Sequence, residues 1–266
     1  MKYTQTKIGR TIVNLHEFSG IGDFVSYLEN TPVNRFFSNS VLQSETTGNS
    51  SWYGTNSFDE AKNLLQFGWM PDSSKLKQQL KLSNKVNLQD NKRISEYSVA
   101  GYQVSVPRYL QGIPTNMVNS KIVPVKKKII VITKDITYNA GWSANDITEQ
   151  AIKALQVVQS LENKGLRVRL NVYLGCSMYN EQIQMKLCVK KPDERINYVK
   201  MAFPLGHPSM LRRFLLRFIE RHDKCENSFV NGYGKPVNLI QNNDEYVIPH
   251  NIGDVEKFIN NILKRK

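Results

Sequence analysis

Ile129-Ile130-Val131-Ile132-Thr133-Lys134-Asp135 decides the fold. Its first four residues are a continuous run of β-branched side chains, the pattern of a strand buried on both faces at the centre of a parallel sheet. A polar loop is expected over 134–145. Beyond it Ile147, Ala151, Ala154, Leu155, Val158 and Leu161 recur at helical spacing, which predicts the apolar face of an amphipathic helix. Ser143 or Asn145 can cap its start, and Gly165 lies where a C-terminal glycine belongs. Val168, Leu170, Val172 and Leu174 then alternate with Arg167, Arg169, Asn171 and Tyr173, giving a strand with one wet face. Strand, helix and strand of this length make a βαβ unit with parallel strands and a right-handed crossover.

Downstream, Ile183, Met185, Leu187 and Val189 alternate with Gln184, Lys186, Cys188 and Lys190. The stretch 175–182 is too short for a helical crossover, so the two alternating strands should form an antiparallel hairpin at the sheet edge. A helix from about Asp193, a helix from Pro208 to about His222, a strand over 245–248 and a terminal helix complete the pattern. Upstream, the chain is rich in Asn, Ser and Gln, and its apolar runs are short. Ser57-x-x-Glu60 is a capping box that opens a short helix stopped by Gly68. The segment 104–114 holds two prolines and a glycine and reads as extended, an edge strand or an arm lying on a neighbour. The expected fold is therefore α/β: a doubly wound, mostly parallel sheet with an antiparallel edge hairpin over 123–266. An irregular α+β region over 1–122 should pack on it.

Composition excludes several classes. The 266 residues are 40% hydrophobic and hold 26 aromatics, too many for a disordered chain. No run of ~18 apolar residues occurs, so no membrane-spanning segment is expected. The polar start lacks the core of a secretory signal, and three cysteines without CxxC spacing do not make a disulfide framework. His222-x-x-Cys225 is the only close His/Cys pair, too few ligands for zinc. There is no Gly-x-Ser-x-Gly, His-Glu-x-x-His or Gly-x-Gly-x-x-Gly. The paired carboxylates Asp59-Glu60, Asp193-Glu194 and Asp244-Glu245 lie near element starts, where they meet a helix dipole or solvate a turn. No catalytic residue, cofactor or metal is expected.

Charge is the outlier. Residues 1–120 hold 12 Lys+Arg and 9 Asp+Glu, a balance of +3, whereas 121–266 hold 24 and 14, a balance of +10. In the helix beginning at Pro208, Arg213, Arg217 and Arg221 stand four apart in one line, with Arg212 beside them. With Lys126, Lys127 and Lys128 they are the candidate binding surface. Three readings stay open: a solvated face, a phosphate contact through planar guanidinium forks, or an acidic protein partner. Trp52 and Trp69 flank the capped helix. They read as core packing in preference to a base-stacking platform, because the only basic residue near them is Lys62.

Two resemblances follow. The order of elements over 126–266 looks like a von Willebrand factor A-type sheet. Asp135-Ile136-Thr137-Tyr138-Asn139 stands where that family carries Asp-x-Ser-x-Ser, which holds a magnesium ion. The aspartate and one hydroxyl are present, and an amide replaces the second hydroxyl. Across the whole chain, four blocks in order are similar to an uncharacterised tailed-bacteriophage protein family. They are Trp52-Tyr53-Gly54-Thr55-x-Ser57-Phe58-x-Glu60-Ala61 with Gly68-Trp69, the block from Gly101 to Met117, Pro204-Leu205-x-His207-Pro208 through Phe214, and Gly232-Tyr233-Gly234. This resemblance implies a non-enzymatic virion or assembly protein, in the virion or host cytoplasm. It would bind other phage proteins, and DNA, through its basic face. The alternatives are a metal-dependent phosphoesterase or nuclease using Asp135, or a cytoplasmic anti-defence binding protein.

Overall fold

A computed structural model describes residues 1–35, 37, 41–70, 91–124, 128–178, 180–222, 235–237, 239 and 245–264. In chain order the elements are β1 (Lys2–Ile8), β2 (Thr11–Phe18), α1 (Ile21–Asn30), α2 (Ser50–Tyr53), α3 (Phe58–Phe67), β3 (Asn91–Ser98), β4 (Gln103–Val104), α4 (Val106–Leu110), β5 (Met117–Pro124) and β6 (Ile129–Asp135). Then come α5 (Ala144–Asn163), β7 (Arg167–Met178), β8 (Glu181–Lys190), α6 (Tyr198–Gly206), a π-helical turn (Met210–Leu215) running into α7 (Leu216–Glu220), β9 (Lys235–Pro236), β10 (Tyr246–Ile248) and α8 (Val255–Lys264). The chain divides into two units: Met1–Asn84 with Ile129–Lys266, and Lys85–Lys128.

The larger unit is α/β, built on a sheet of order β1-β2-β8-β7-β6-β10, with β9 against the end of β7. As the sequence predicts, β6 is internal and runs parallel to β7, from Ile129 opposite Arg167 to Asp135 opposite Tyr173. The helix between them starts in a full capping box: Ser143 Oγ accepts from Asp146 N at 3.2 Å while the Asp146 carboxylate accepts from Ser143 N at 3.4 Å. β10 pairs parallel with the free side of β6.

The hairpin β7–β8 is antiparallel, as expected. It is not at the edge, and this corrects the sequence reading. β2 adds in parallel to the outer side of β8, and β1 closes the sheet antiparallel to β2. The chain therefore does not divide at 122/123; its first 18 residues belong to the main sheet. The strand hid because its inward positions are Asn14, His16 and Phe18, so hydrophobicity does not alternate. Asn14 Oδ1 is satisfied by Tyr3 OH at 2.8 Å and Gln5 Nε2 at 3.0 Å.

One sheet face carries Ile130, Ile132, Val168, Leu170, Val172, Leu174, Ile183, Met185 and Leu187, all buried. Packed on it are α1, through Phe24 against Phe18 (ring centroids 5.0 Å apart), and α7, through Phe218 against His16 (5.1 Å). α5 lies between α6 and α8 in the same layer. The opposite face is polar. There Thr133 Oγ1 donates to Glu245 at 2.6 Å, Asn171 Nδ2 donates to Thr133 at 3.3 Å, and Lys186 Nζ pairs with Glu245 at 2.8 Å. The described helices thus form one layer. A doubly wound sheet has helices on both faces, and among the described residues that second layer is not found.

The smaller unit is a three-stranded antiparallel sheet of order β3-β5-β4. Gly101 is required there, because a Cβ would sit 2.2 Å from the Val118 carbonyl oxygen. The segment expected to be wholly extended contains α4. Pro107 stands in its first turn, where a missing N–H costs no helix bond.

Candidate functional site

The line of arginines is the first candidate, and the structure turns it inward. Arg213 is 0% exposed. Its Nε donates to Thr55 Oγ1 at 2.8 Å, Nη1 to the carbonyls of Ser44 and Thr46 at 3.0 Å each, and Nη2 to the Thr55 carbonyl at 2.8 Å. Its guanidinium also lies 4.3 Å from the Tyr53 ring centroid. Arg212 donates to the Trp52 carbonyl at 2.5 Å and the Trp142 carbonyl at 2.6 Å. Arg217 pairs with Glu45 at 2.8 Å and covers the Phe58 ring at 4.0 Å. Arg221 donates to the Thr31 carbonyl. Burial lowers the pKa of Arg212, Arg213 and Arg221 from the ordinary arginine value. None of the three sequence readings describes Arg212 and Arg213: they are neither a solvated face nor a contact for phosphate or protein. They fasten the segment 42–57 to the core, because backbone carbonyls left dry would each cost ~1–3 kcal/mol.

Two of the sequence blocks meet in this lock. Ser209 Oγ donates to the Tyr53 carbonyl at 2.6 Å and lies 3.0 Å from Thr55 Oγ1. Gly54, at φ +81°, leaves only 2.9 Å between a hypothetical Cβ and His207 Cε1. Trp69 packs edge-on to His207 with centroids 4.7 Å apart, as core packing predicts. Burial pushes the His207 pKa down to about 4, so the ring is neutral and its Nδ1 accepts from Ser209 N at 3.2 Å. The Gly232-Tyr233-Gly234 block and Cys225 lie outside the described residues, as do Lys126 and Lys127. Lys128 is exposed and belongs to the smaller unit.

Asp135 is the second candidate. It is 2% exposed at the end of β6. Its Oδ1 accepts from Thr137 N at 2.9 Å and its Oδ2 from Leu239 N at 3.1 Å, so each oxygen already holds a backbone amide. Among the described residues no group of three His, Cys, Asp or Glu converges for a metal. The sequence predicts a polar loop over 134–145, yet Lys134, Ile136, Thr137 and Tyr138 are buried beside Asp135. Lys134 Nζ donates to the carbonyls of Pro249 at 2.5 Å and His250 at 3.0 Å. Burial brings the Lys134 pKa down to about 7, against the pull of Asp135. The hydroxyls of Tyr138 and Tyr173 are pushed upward by burial and by Asp135.

The third candidate is the smaller unit. Lys85–Lys128 contains eight Lys+Arg and two Asp+Glu in 44 residues, a balance of +6. Tyr97, Tyr102 and Tyr109 are 55%, 66% and 64% exposed. Strand register places Arg93 and Tyr97 on one face with Ile122. Arg108 lies over the Tyr97 ring at 4.3 Å and is held by the Thr115 carbonyl at 2.9 Å. Sequence reasoning divided this unit between two halves and so diluted its charge.

These features define a two-unit α/β protein: a helix-backed sheet stabilised by buried cations, and a small, basic, tyrosine-bearing sheet. The chain belongs to a domain family of unknown function, DUF7192, whose model matches residues 5–265. No curated protein and no solved structure matches it. Among the described residues no helix is long and apolar enough to cross a membrane.

Proposed function

We propose that this chain is a non-enzymatic bacteriophage virion or assembly protein that holds nucleic acid on its smaller unit. The observation that carries the reading is the +6 balance of Lys85–Lys128 beside three exposed tyrosines. Positive charge tracks a phosphate backbone, and exposed aromatic rings stack on bases, each worth ~1–3 kcal/mol. The phage setting rests on the sequence blocks alone. The exposed Val99, Val106 and Leu110 of the same unit support a second reading, contact with another phage protein.

The likeness to a von Willebrand factor A sheet is supported by the β6-α5-β7 unit and by Asp135 at the end of β6. We give the phosphoesterase or nuclease alternative less weight, because among the described residues no group of three His, Cys, Asp or Glu converges to hold a metal with Asp135.

The test is binding of single-stranded and duplex oligonucleotides to the full chain across a salt series. Three or four phosphate contacts predict a log–log slope of roughly −3 to −4 on duplex DNA. Changing Arg93, Lys121 and Lys128 to Gln should flatten the slope, and changing Tyr97, Tyr102 and Tyr109 to Ser should weaken single-strand binding most. Absence of binding at ~50 mM salt, where screening is weak, would leave the protein-contact reading. Recovery of the chain from purified virions by mass spectrometry tests the virion role.

A further inference from the structure

We propose that one face of the smaller sheet, the face of Arg93, Tyr97 and Ile122, binds single-stranded nucleic acid and seats a base on Ser95 and Ser120. The inference rests on the nucleic-acid reading and narrows it to one strand and one face. Nine of the 16 large apolar side chains that stand exposed among the described residues belong to Lys85–Lys128, and no described residue of that unit is buried. Its apolar atoms make a surface, not a core. A concentration of exposed apolar side chains marks a contact site.

The two faces of this sheet differ in chemistry. Residues directly opposite in an antiparallel pair share a face, and the faces alternate along each strand. The register sets Arg93 opposite Ile122, Ser95 opposite Ser120 and Tyr97 opposite Val118. No acidic residue stands on this face of the three strands. The other face carries Ile94, Val104 and Met117 with Glu96 and Lys121, which pair with each other at 3.9 Å. Its charge is already answered, whereas the charge of the first face is open to a polyanion. Tyr97 and Ile122 are 55% and 58% exposed. Arg93 and Tyr97, four residues apart, stand ~13 Å apart along β3. Between them the two serines form a low floor, long enough for a base to lie against the Tyr97 ring. Serine hydroxyls both donate and accept, so they suit the edge of any base. Arg108 lies 4.3 Å from the Tyr97 ring centroid and is held by Thr115 Oγ1 at 3.0 Å. Its guanidinium is a second plane on which a base can stack. Duplex DNA keeps its base faces inside the helix, so only an unpaired strand can use this floor and these planes.

The test is fluorescence anisotropy of the full chain with a labelled strand of roughly 12 nucleotides, within the span a small fold covers, and with its duplex. At ~50 mM salt, where screening is weak, the strand should bind at least about tenfold more tightly than the duplex. Tyr97→Ser, Ile122→Ser and Ser120→Leu, which fills the floor, should each weaken the strand about fivefold or more. Ile94→Ser, on the opposite face, should leave its affinity unchanged. Wild type irradiated with a bromouracil-bearing strand should crosslink at Tyr97, a readout that needs no variant to fold. Duplex bound as tightly as the strand, a crosslink confined to the opposite face, or strand affinity untouched by all three substitutions would overturn this inference and leave the nucleic-acid reading standing. No binding of either form would remove both.

Discussion

Arg213→Gln separates the two meanings an arginine in this line can have. If Arg213 faced a phosphate, glutamine would leave the fold intact and remove binding. The structure predicts the reverse. Four acceptors depend on this one guanidinium: the carbonyls of Ser44, Thr46 and Thr55, and the Thr55 hydroxyl. A glutamine amide is shorter and can replace one of these bonds, so at least two buried carbonyls lose their donor. Each costs ~1–3 kcal/mol, and the expected loss is about 4 kcal/mol. That is a large part of the 5–15 kcal/mol typical of a folded protein. Urea unfolding should show a lower midpoint at unchanged slope, and Tm should fall by roughly 8–16 °C. Arg217→Gln is the internal comparison. Its partner Glu45 is 48% exposed, so the pair is worth about 1 kcal/mol or less. A folded Arg213→Gln within about 1 kcal/mol of wild type would refute the lock, most directly if it had also lost nucleic-acid binding.

The ion pair of Lys190 with Glu162 is 2.6 Å long and almost fully buried, so Lys190→Met should cost about 3–5 kcal/mol and Lys190→Met with Glu162→Gln should recover much of it, as read by chemical denaturation. His207 has a folded pKa of about 4 against 6.5 unfolded. As pH falls, the unfolded chain therefore takes up the proton first, and up to about 3 kcal/mol of stability is lost between pH 6.5 and 4; His207→Gln should flatten that limb of the pH–stability profile. Gly101→Ala would press a methyl group onto the Val118 carbonyl, so the amides of β4 and β5 should lose hydrogen-exchange protection while those of β6 and β7 keep theirs.

The segment β6-α5-β7-β8 was legible because each piece obeys a single period: a continuous apolar run, a 3.6-residue stripe, then strict alternation. β2 was not, because Asn14 and His16 occupy inward positions and only the tertiary contacts of Tyr3, Gln5 and Phe218 make them acceptable there. The arginine line failed for two physical reasons. Spacing shows that residues share a helix face, but not whether that face looks at water or at another segment. The acceptors here are main-chain carbonyls of residues 44, 46, 52, 55 and 142, which have no signature in a sequence. The helix also runs through a π-helical turn at Met210–Leu215, which shifts the phase of every side chain relative to an ideal α-helix. One signal was available. The block at 52–61 holds Gly54, Thr55 and Ser57 beside Trp52, Tyr53 and Phe58, and the block at 204–214 holds Pro204, Gly206, Pro208 and Ser209 beside Phe214, small residues that suit close backbone contact.

This changes how the +13 net charge of the chain should be read. Lys134, Lys190, Arg212 and Arg213 are buried, and Arg217 and Arg221 are nearly so. Their charge is answered inside by carbonyls, by Glu162 and by Glu45. Such cations are closed to direct contact, since a polyanion reaching them would have to displace satisfied internal bonds and strip its own hydration. A surplus of positive residues locates a polyanion surface only after these are set aside. Among the described residues, what then remains concentrated is the short basic unit around Arg93, Arg108, Lys121 and Lys128, where tyrosines stand exposed among the charges. Mutating the helix arginines should therefore alter stability, and mutating this unit should alter salt-dependent binding, with little crossover between the two.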